Sequence, residues 1–305
     1  MIWFFIALIA PFLYALTNHI DKILLEKYFK TDGVGTLVLF SSLLSALALP
    51  FLFLTDRNVL NVSGLNMLFL AVVGILSALV LLFYLIALKN DEASIIIVFY
   101  QLLPVFGSIL GYFVLGEILT TIQIVAMATI MLGATIVSFE IDIDNKFKLR
   151  SKAILPMLAA TFLWALESVI FKVVALEENL WRSLFWEHLM LTLLGVCIFI
   201  FMRSHRTKFL AAIRNNSKAI LSLNVANESL YILGNVALSF SYLLAPIGLV
   251  LLTESFQPIF VLIIGIMLTV FFPKISVEKI AAKHLWPKII AVLLTAVGTY
   301  LLFIS

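Results

Sequence analysis

The chain alternates between long apolar runs and short polar breaks over its whole length. Each run has about 17–25 residues, enough for an α-helix to cross the ~30 Å hydrocarbon layer of a membrane. Polar breaks separate the runs, such as those that begin at Thr55, Lys89 and Arg203. The predicted helices are 2–22, 34–54, 65–88, 94–115, 119–139, 153–174, 183–202, 219–243, 247–271 and 288–304. We therefore predict an all-α integral membrane protein with ten transmembrane helices.

One short motif occurs twice along the chain. FLYAL begins at Phe12 and FLWAL begins at Phe162, and a lysine follows each copy, Lys22 or Lys172. A spacing of half the chain indicates a duplicated half and is too long for a solenoid unit. With five helices in each copy, the second copy must cross the membrane in the opposite direction. The sequence thus predicts a first five-helix repeat at 1–140, a basic linker loop at 141–152 and a second, inverted five-helix repeat at 153–305.

Composition excludes several classes of protein. The chain is 63% hydrophobic and 12% charged, whereas soluble domains carry about 25% charged residues. The net charge is +3, and the basic residues lie in separate loops, so no nucleic-acid partner is expected. The lone Cys197 excludes an intramolecular disulfide and a cysteine-rich metal site. Because the sequence holds no metal-binding HExxH, Gly-rich phosphate loop or nucleophile elbow, we predict no enzyme, cofactor or metal.

The basic residues also predict an orientation. All but three of the twenty Lys and Arg residues lie in or beside the loops after predicted helices 1, 3, 5, 7 and 9. The three exceptions are Arg57, Lys172 and Arg182. Because basic loops stay in the cytoplasm, we predict a multi-pass protein of the cell (inner) membrane with both termini outside.

Several features carry a family resemblance. They are the paired repeats, the Ala-Leu pair in helices 1 and 6, Pro104 and Pro258 in helices 4 and 9, the Gly116-Glu117 step, and Gly133 and Gly298 in helices 5 and 10. In these features the chain resembles the drug/metabolite transporter superfamily and, within it, the ten-helix EamA-type proteins. The second repeat departs from the pattern, because Phe272-Pro273-Lys274 replaces the Gly-Glu step. Such proteins usually keep both termini in the cytoplasm, the reverse of what the loop charges indicate here.

Intramembrane acids are the main candidates for chemistry, because an ionisable side chain inside a spanning helix needs a cavity or a partner. The second repeat holds Glu167, Glu187, Glu228 and Glu254 in helices 6 to 9. At 1.5 Å per residue, Glu228 lies near the middle of the bilayer and the others roughly 6–11 Å inside the outer face. Burial favours the neutral form of a carboxyl, so we predict that these groups bind a proton or a cationic substrate group.

The other candidate binding residues are polar or aromatic: Tyr100, Gln101, Asn235, Tyr231, Trp164, Tyr84, Asn18 and His19. Tyr100 corresponds to Glu254 in the repeat, so the first repeat offers hydroxyl groups where the second offers acids. Simpler interpretations also exist: His19 as a packing residue, Glu187 as an interfacial group and Glu167 as an ion-pair partner of Lys172. Pro104 and Pro258 each predict a hinge or a simple kink, because proline frees a backbone carbonyl.

These features predict a secondary transporter that moves a small organic metabolite, such as an amino acid or amine, by alternating access. Helices 1, 3, 4, 6, 8 and 9 would line the path. The expected partners are the substrate, protons as coupling ion, and the lipid bilayer; the sequence leaves the oligomeric state open. Two alternatives stay open. A translocase for lipids or lipid-linked sugars would need a basic head-group site, and a receptor or scaffold would place its carboxylates on divergent faces.

The loop charges predict where the C-terminus lies. A periplasm-active reporter such as alkaline phosphatase, fused after Ser305, should be active, and a reporter that requires the cytoplasm should be inactive. Cytoplasmic activity at this position would show that the orientation is the opposite one.

Overall fold

The computed structural model describes residues 2–29, 33–91, 93–118, 120–141, 147–149, 151–271 and 282–304. Helices dominate these ranges, and we number them in chain order. They are α1 Ile2–Tyr28, α2 Gly33–Thr55, α3 Gly64–Asn90, α4 93–115, α5 Thr121–Ser138, α6 Ser151–Glu177, α7 Leu180–Phe201, α8 Arg203–Tyr242, α9 Ile247–Phe271 and α10 Ala282–Ile304. Two strands, β1 Phe139–Ile141 and β2 Phe147–Leu149, pair antiparallel between α5 and α6.

Seven of the described helices are long and apolar enough to cross a membrane: α1, α2, α3, α4, α6, α7 and α9. Large apolar side chains such as Phe5, Phe51 and Phe113 remain exposed on the outside of the bundle. A soluble protein would hide such a surface, whereas lipid covers it without cost. The chain is therefore a multi-pass membrane protein. A total of ten crossings, with inverted halves, stays a prediction.

Two regions differ from the sequence prediction. The linker predicted as a loop at 141–152 contains a hairpin, in which Phe139 pairs with Leu149 and Ile141 with Phe147. Apolar and polar residues alternate in this segment, which is the pattern of a strand. The polar stretch after Arg203, predicted as a break, is the first part of α8. This stretch has an apolar anchor, Phe209, whose ring packs 4.3 Å from that of Phe40.

The main helix contacts in the bundle are symmetric between the first five and the last five helices. α3 packs against α6 and α8 against α1; α4 packs against α6 and α9 against α1; α3 packs against α7 and α8 against α2. The two contacts in each of these three pairs are equivalent: exchanging α1–α5 with α6–α10, in order, converts one into the other. The pairs α2–α7, α4–α9 and α5–α10 are unchanged by this exchange. The helices of the two halves therefore interlock, and the centre of the bundle is shared between them.

Two apolar clusters lie along the bundle. One includes Ala10, Leu52, Val174 and Ile247, and the other includes Leu24, Leu88, Met157 and Val261. By their positions along antiparallel helices, these clusters lie toward opposite ends. Trp164 packs against both of them. Buried polar side chains such as Asn18, Glu167 and Gln257 lie in the level between the two clusters.

A tight 3₁₀ turn precedes each of the two prolines predicted as hinges. Ile97–Leu102 is 3₁₀ before Pro104, and Leu252–Phe256 is 3₁₀ before Pro258. Proline lacks the N–H that would continue the α-helical ladder, so the preceding turn tightens. Tyr100 and Glu254 lie inside these turns at equivalent places in the two halves.

The connections α2–α3 and α6–α7 are docked against each other. Arg182 Nε lies 3.1 Å from Asp56 Oδ2, and Glu178 accepts hydrogen bonds of 2.9 Å from the Ser63 N–H and the Asn66 amide. The hydrogen bonds from Asn66 and then Ser63 lower the pKa of the Glu178 carboxyl. This cluster fixes one end of α3 to α6 and α7.

Glycine allows two helices to approach closely in the middle of the bundle. A Cβ added at Gly195 in α7 would lie 2.8 Å from the Ser42 Cβ and 3.0 Å from the Leu43 backbone nitrogen of α2. A Cβ at Gly64, by contrast, would meet nothing within 4 Å.

We expect Gly195→Ala to destabilise the protein by about 1–3 kcal/mol, because α2 must shift to admit the methyl group. Thermal unfolding of the purified protein in detergent would show a lower midpoint. Gly64→Ala is the matched control and should leave the midpoint nearly unchanged. Equal midpoints for both variants would contradict the close packing of α2 on α7.

Candidate functional site

A cavity lies between the two apolar clusters, and both halves of the chain line it. Its walls come from α1, α2, α3, α4, α6, α7, α8 and α9. The lining residues are Tyr14, Thr17, Asn18, Asp21, Ser41, Ser77, Val80, Leu81, Tyr84, Tyr100, Trp164, Glu167, Leu191, Asn227, Glu228, Tyr231 and Gln257. The space between these side chains is about 740 Å³, including the part open to the outside.

The cavity extends from the middle of the bundle toward one end. On α1 its lining runs from Tyr14 to Asp21, about 10 Å along the axis at 1.5 Å per residue. A smaller cavity continues from the same place, and it shares Asp21, Ser41, Asn227 and Glu228 with the larger one. These four polar residues therefore form a junction. They lie toward the end of the bundle where α1 ends and α2 begins, which is the side of the basic loops.

Each carboxyl group in the lining accepts a hydrogen bond from a neutral side chain on another helix. The Ser41 hydroxyl donates to Glu228 Oε2, the Ser77 hydroxyl donates to Glu167 Oε1 at 2.6 Å, and the Asn227 amide donates to Asp21 Oδ1 at 2.7 Å. The simpler interpretation of Glu167 as the partner of Lys172 is thus not what the structure has. Each of these acids is thus bonded to a neutral group and not to a basic side chain.

Amide and phenol groups connect the halves across the cavity. The Gln257 amide of α9 donates to Asn18 Oδ1 at 2.7 Å, and the Asn18 amide donates to the Tyr84 hydroxyl at 2.9 Å. The chain of three groups spans α9, α1 and α3. Tyr84 and Asn18 were predicted as binding residues, and both line the cavity.

Five aromatic rings form a continuous wall of the cavity. Tyr231 stacks on Tyr14 with ring centroids 5.6 Å apart, and Trp164 contacts both Tyr14 (5.9 Å) and Tyr100 (4.9 Å) edge to face. Tyr100 in turn stacks on Tyr84 at 6.1 Å. The wall offers ring faces and edges from both halves to anything in the cavity.

Five of the predicted site residues lie outside this lining: Glu187, Asn235, Glu254, Gln101 and His19. Glu187 is buried and accepts a 2.9 Å hydrogen bond from the Asn235 amide, so it is not an interfacial group. His19 Nε2 lies 2.9 Å from the Val261 carbonyl oxygen, which fits the packing role. The side chain of Gln101 is fully buried without a hydrogen-bond partner among the described residues.

Glu254 is the most isolated acid of the bundle. Its side chain is 0% exposed, and neither carboxylate oxygen has a hydrogen-bond partner among the described residues. An ionised carboxylate in such surroundings would be very costly unless a partner reached it. The surroundings of Glu254 thus offer no such partner among the described residues, and the residue lies four positions before Pro258 in the 3₁₀ turn.

The lysines that follow the two copies of the repeated motif bind backbone carbonyls at equivalent helix connections. Lys22 donates to the carbonyl oxygens of Leu88 (2.9 Å) and Asp91 (2.6 Å), where α3 turns into α4. Lys172 donates to the Ala245 carbonyl oxygen at 2.8 Å, where α8 turns into α9. Each lysine thus satisfies backbone carbonyls at the connection that leads into a proline-containing helix.

Glu117 adds a contact between the halves at the second of these places. Its Oε1 lies 3.6 Å from Lys172 Nζ and accepts a 3.1 Å hydrogen bond from the Ile247 backbone N–H. The preceding Gly116 has φ +70°, a left-handed conformation that ends α4 and that side chains rarely adopt. The Gly-Glu step thereby aims a carboxylate at the first turn of α9.

Sequence reasoning missed several lining residues, including Asp21, Ser41, Ser77, Asn227 and Gln257. Serines and amides inside apolar helices are common packing residues, so no single one carries a signal. Their positions opposite acids on other helices depend on helix rotation, which the sequence alone does not specify. Asp21 was identifiable, because it is an ionisable residue within α1.

Comparison with known proteins agrees with this architecture. Residues 1–139 match the EamA-like transporter family. A WAT1-related protein of Arabidopsis thaliana, At3g56620, is 28% identical over 150 residues, which are 48% of this chain and 40% of that protein. The first half of the chain is thus similar to the EamA-like transporter family. The chain thus spans less than half the length of the plant relative, whose activity is not carried over by this match.

The fold of the whole chain also resembles that of a solved crystal structure. That structure covers 98% of this chain and 94% of its own chain, with a TM-score of 0.57 and 14% sequence identity. At this identity the likeness concerns the fold alone. The family match covers the first half of the chain, and the structural match covers both halves.

The cavity predicts a sided pattern of thiol labelling. In a Cys197→Ser background, Ser41→Cys should react with a membrane-impermeant thiol reagent added from the side of the basic loops. Ser239→Cys should react about tenfold more slowly or not at all, because Ser239 is buried against Asn235 and labelling there requires local opening. Equal rates at both positions would contradict the location of the cavity.

Proposed function

We propose that this protein is an EamA-type secondary transporter of a small organic metabolite, coupled to protons through its intramembrane carboxyl groups. One observation carries the proposal: carboxyl groups from both halves line the cavity in the centre of the bundle. A cavity between two structurally related halves is the usual place of a transporter site. Acids facing such a cavity within a membrane are expensive to keep and typically functional.

In this proposal, three contacts close the path on the other side of the aromatic wall. Tyr14 and Tyr231 stack first, the Glu187–Asn235 hydrogen bond follows farther along α7 and α8, and Glu117 and Lys172 lie at the end. Alternating access in this proposal requires these levels to separate while the opposite end closes. The 3₁₀ turns before Pro104 and Pro258 are where α4 and α9 would bend.

Glu254 is the proposed proton site, together with Glu228. An isolated, fully buried carboxyl is stable when protonated, and it can ionise only after a conformational change brings water or a cation to it. Proton binding at Glu254 would thereby depend on the conformation of the turn before Pro258. This dependence is the coupling that a proton-driven transporter needs.

The buried acids and the cavity lining fit the two alternative functions less well than they fit transport. A receptor or scaffold would present its acids on divergent surfaces, whereas Glu167, Glu187, Glu228 and Glu254 are all buried inside the bundle. A translocase for lipids with anionic head groups would need basic side chains in its cavity. The described lining has three acidic side chains instead, Asp21, Glu167 and Glu228.

The coupling role of Glu254 predicts a pH effect. In proteoliposomes, wild-type transport of an identified substrate should change between about pH 5.5 and 8, because the carboxyl gains and loses a proton. Glu254→Gln, which resembles the protonated form at every pH, should lose this dependence.

Glu178→Gln is the matched control, since it makes the same chemical change in a connection outside the membrane spans. It should retain the wild-type pH profile. Identical profiles for Glu254→Gln and the wild type would remove Glu254 from the mechanism.

A further inference from the structure

The lining of the cavity is rich in acceptor oxygens. Asp21, Glu167 and Glu228 contribute carboxyl groups, and each is bonded to a neutral donor on a neighbouring helix. Charge balance therefore favours a positively charged occupant over an anion, because an anion would lie against three carboxyls within the same space.

Several of these acceptors have no donor. In the described residues, Glu228 Oε1, Asn227 Oδ1 and Gln257 Oε1 line the cavity without a hydrogen-bond partner. Glu228 is 2% exposed and Gln257 is 1% exposed, so bulk water does not cover them. Buried polar atoms are nearly always paired. All three atoms are acceptors, so an occupant that fills their missing hydrogen bonds must carry hydrogen-bond donors.

The two kinds of lining are separated along the cavity. The unpaired oxygens of Asn227 and Glu228 lie at the junction with the smaller cavity, next to Asp21 and Ser41. The wall of Tyr14, Trp164 and Tyr231 continues from that junction toward the middle of the bundle. An occupant that extends from the junction to these three rings therefore meets the unpaired oxygens of Asn227 and Glu228 at one end and ring faces at the other.

We propose that the cavity binds a protonated organic amine, with its ammonium N–H groups on Glu228 and Asn227 and its apolar body against the aromatic wall. The ammonium supplies the missing donors and the opposite charge, and charge-assisted hydrogen bonds of this kind are the stronger ones. The body gains contact with the rings, and a cation near ring faces gains further attraction. This inference rests on the proposed function of the cavity and narrows its substrate class.

The same features disfavour close analogues of such an amine. A quaternary ammonium has the charge without the N–H donors, so it leaves Glu228 Oε1 and Asn227 Oδ1 unpaired. An amino acid adds a carboxylate that would face Asp21, Glu167 and Glu228. A neutral alcohol of the same shape offers one donor and no charge.

These differences define a binding test with the purified full-length protein. The probes are 2-phenylethylamine, its N,N,N-trimethyl derivative, phenylalanine, 2-phenylethanol and phenylacetate. Equilibrium binding by calorimetry, with thermal stabilisation as a second readout, should give at least about tenfold tighter binding for the primary amine than for each analogue. Equal or tighter binding of the alcohol, the anion or the quaternary ion would overturn the proposal.

A variant locates the bound ammonium. Glu228→Gln should weaken 2-phenylethylamine binding by about tenfold or more, because it removes the charged acceptor. Glu177→Gln, the same change at an exposed carboxylate that binds Asn66, should leave binding unchanged. Unchanged binding in folded Glu228→Gln would contradict the proposed position. The probe series on the wild type tests the substrate class even if this variant does not fold.

Transport measurements separate this inference from the proposed function. Proteoliposomes that accumulate another class of solute in a pH gradient, without binding 2-phenylethylamine, would overturn the amine inference and support transport. Binding of the amine that depends on Glu228, with no movement across the membrane under any gradient, would support the amine site and overturn the transport proposal.

Discussion

The cost of a polar group in an apolar bundle determines how this protein is arranged. A carboxyl inside a membrane must be neutral, paired or in contact with a cavity, and the acids of this chain use these three solutions differently. Glu167 and Glu228 face the cavity with a serine partner, Glu187 is paired with Asn235, and Glu254 is isolated. The cavity, the aromatic wall and the interlocked helices are arranged around these groups.

The aromatic wall divides the acids into two sets with different access. Tyr14, Trp164 and Tyr231 lie in the cavity lining, as do Glu167 and Glu228, whereas Glu187 and Glu254 lie outside it. The first set can meet a solute in this conformation, and the second set needs a rearrangement to do so. Carboxyl groups of the second half therefore occur both in the lining of the cavity and in closed surroundings beside it.

The sequence predicted where most helices begin and end. It did not predict which side of each helix faces the cavity. Long apolar runs gave bounds close to those of α2, α4 and α9, because burial in lipid requires a continuous apolar helix. The hairpin at Phe139–Leu149 and the polar start of α8 were missed, since their local patterns are short or mixed. Asp21 and Ser41 line the cavity while Gln101 and His19 do not, and this difference depends on helix rotation within the tertiary packing.

Glu117 makes the two ends of the bundle chemically unequal. Its carboxylate belongs to the first half, and the Lys172 ammonium and the Ile247 N–H that it contacts belong to the second. Movement that parts the halves at this end must break a charged contact, whose strength falls as salt screens it. The corresponding position in the second half has Phe272-Pro273-Lys274 in the sequence. Ionic strength on the face of the membrane where Glu117 and Lys172 lie would therefore act on the closed contact at this end of the bundle.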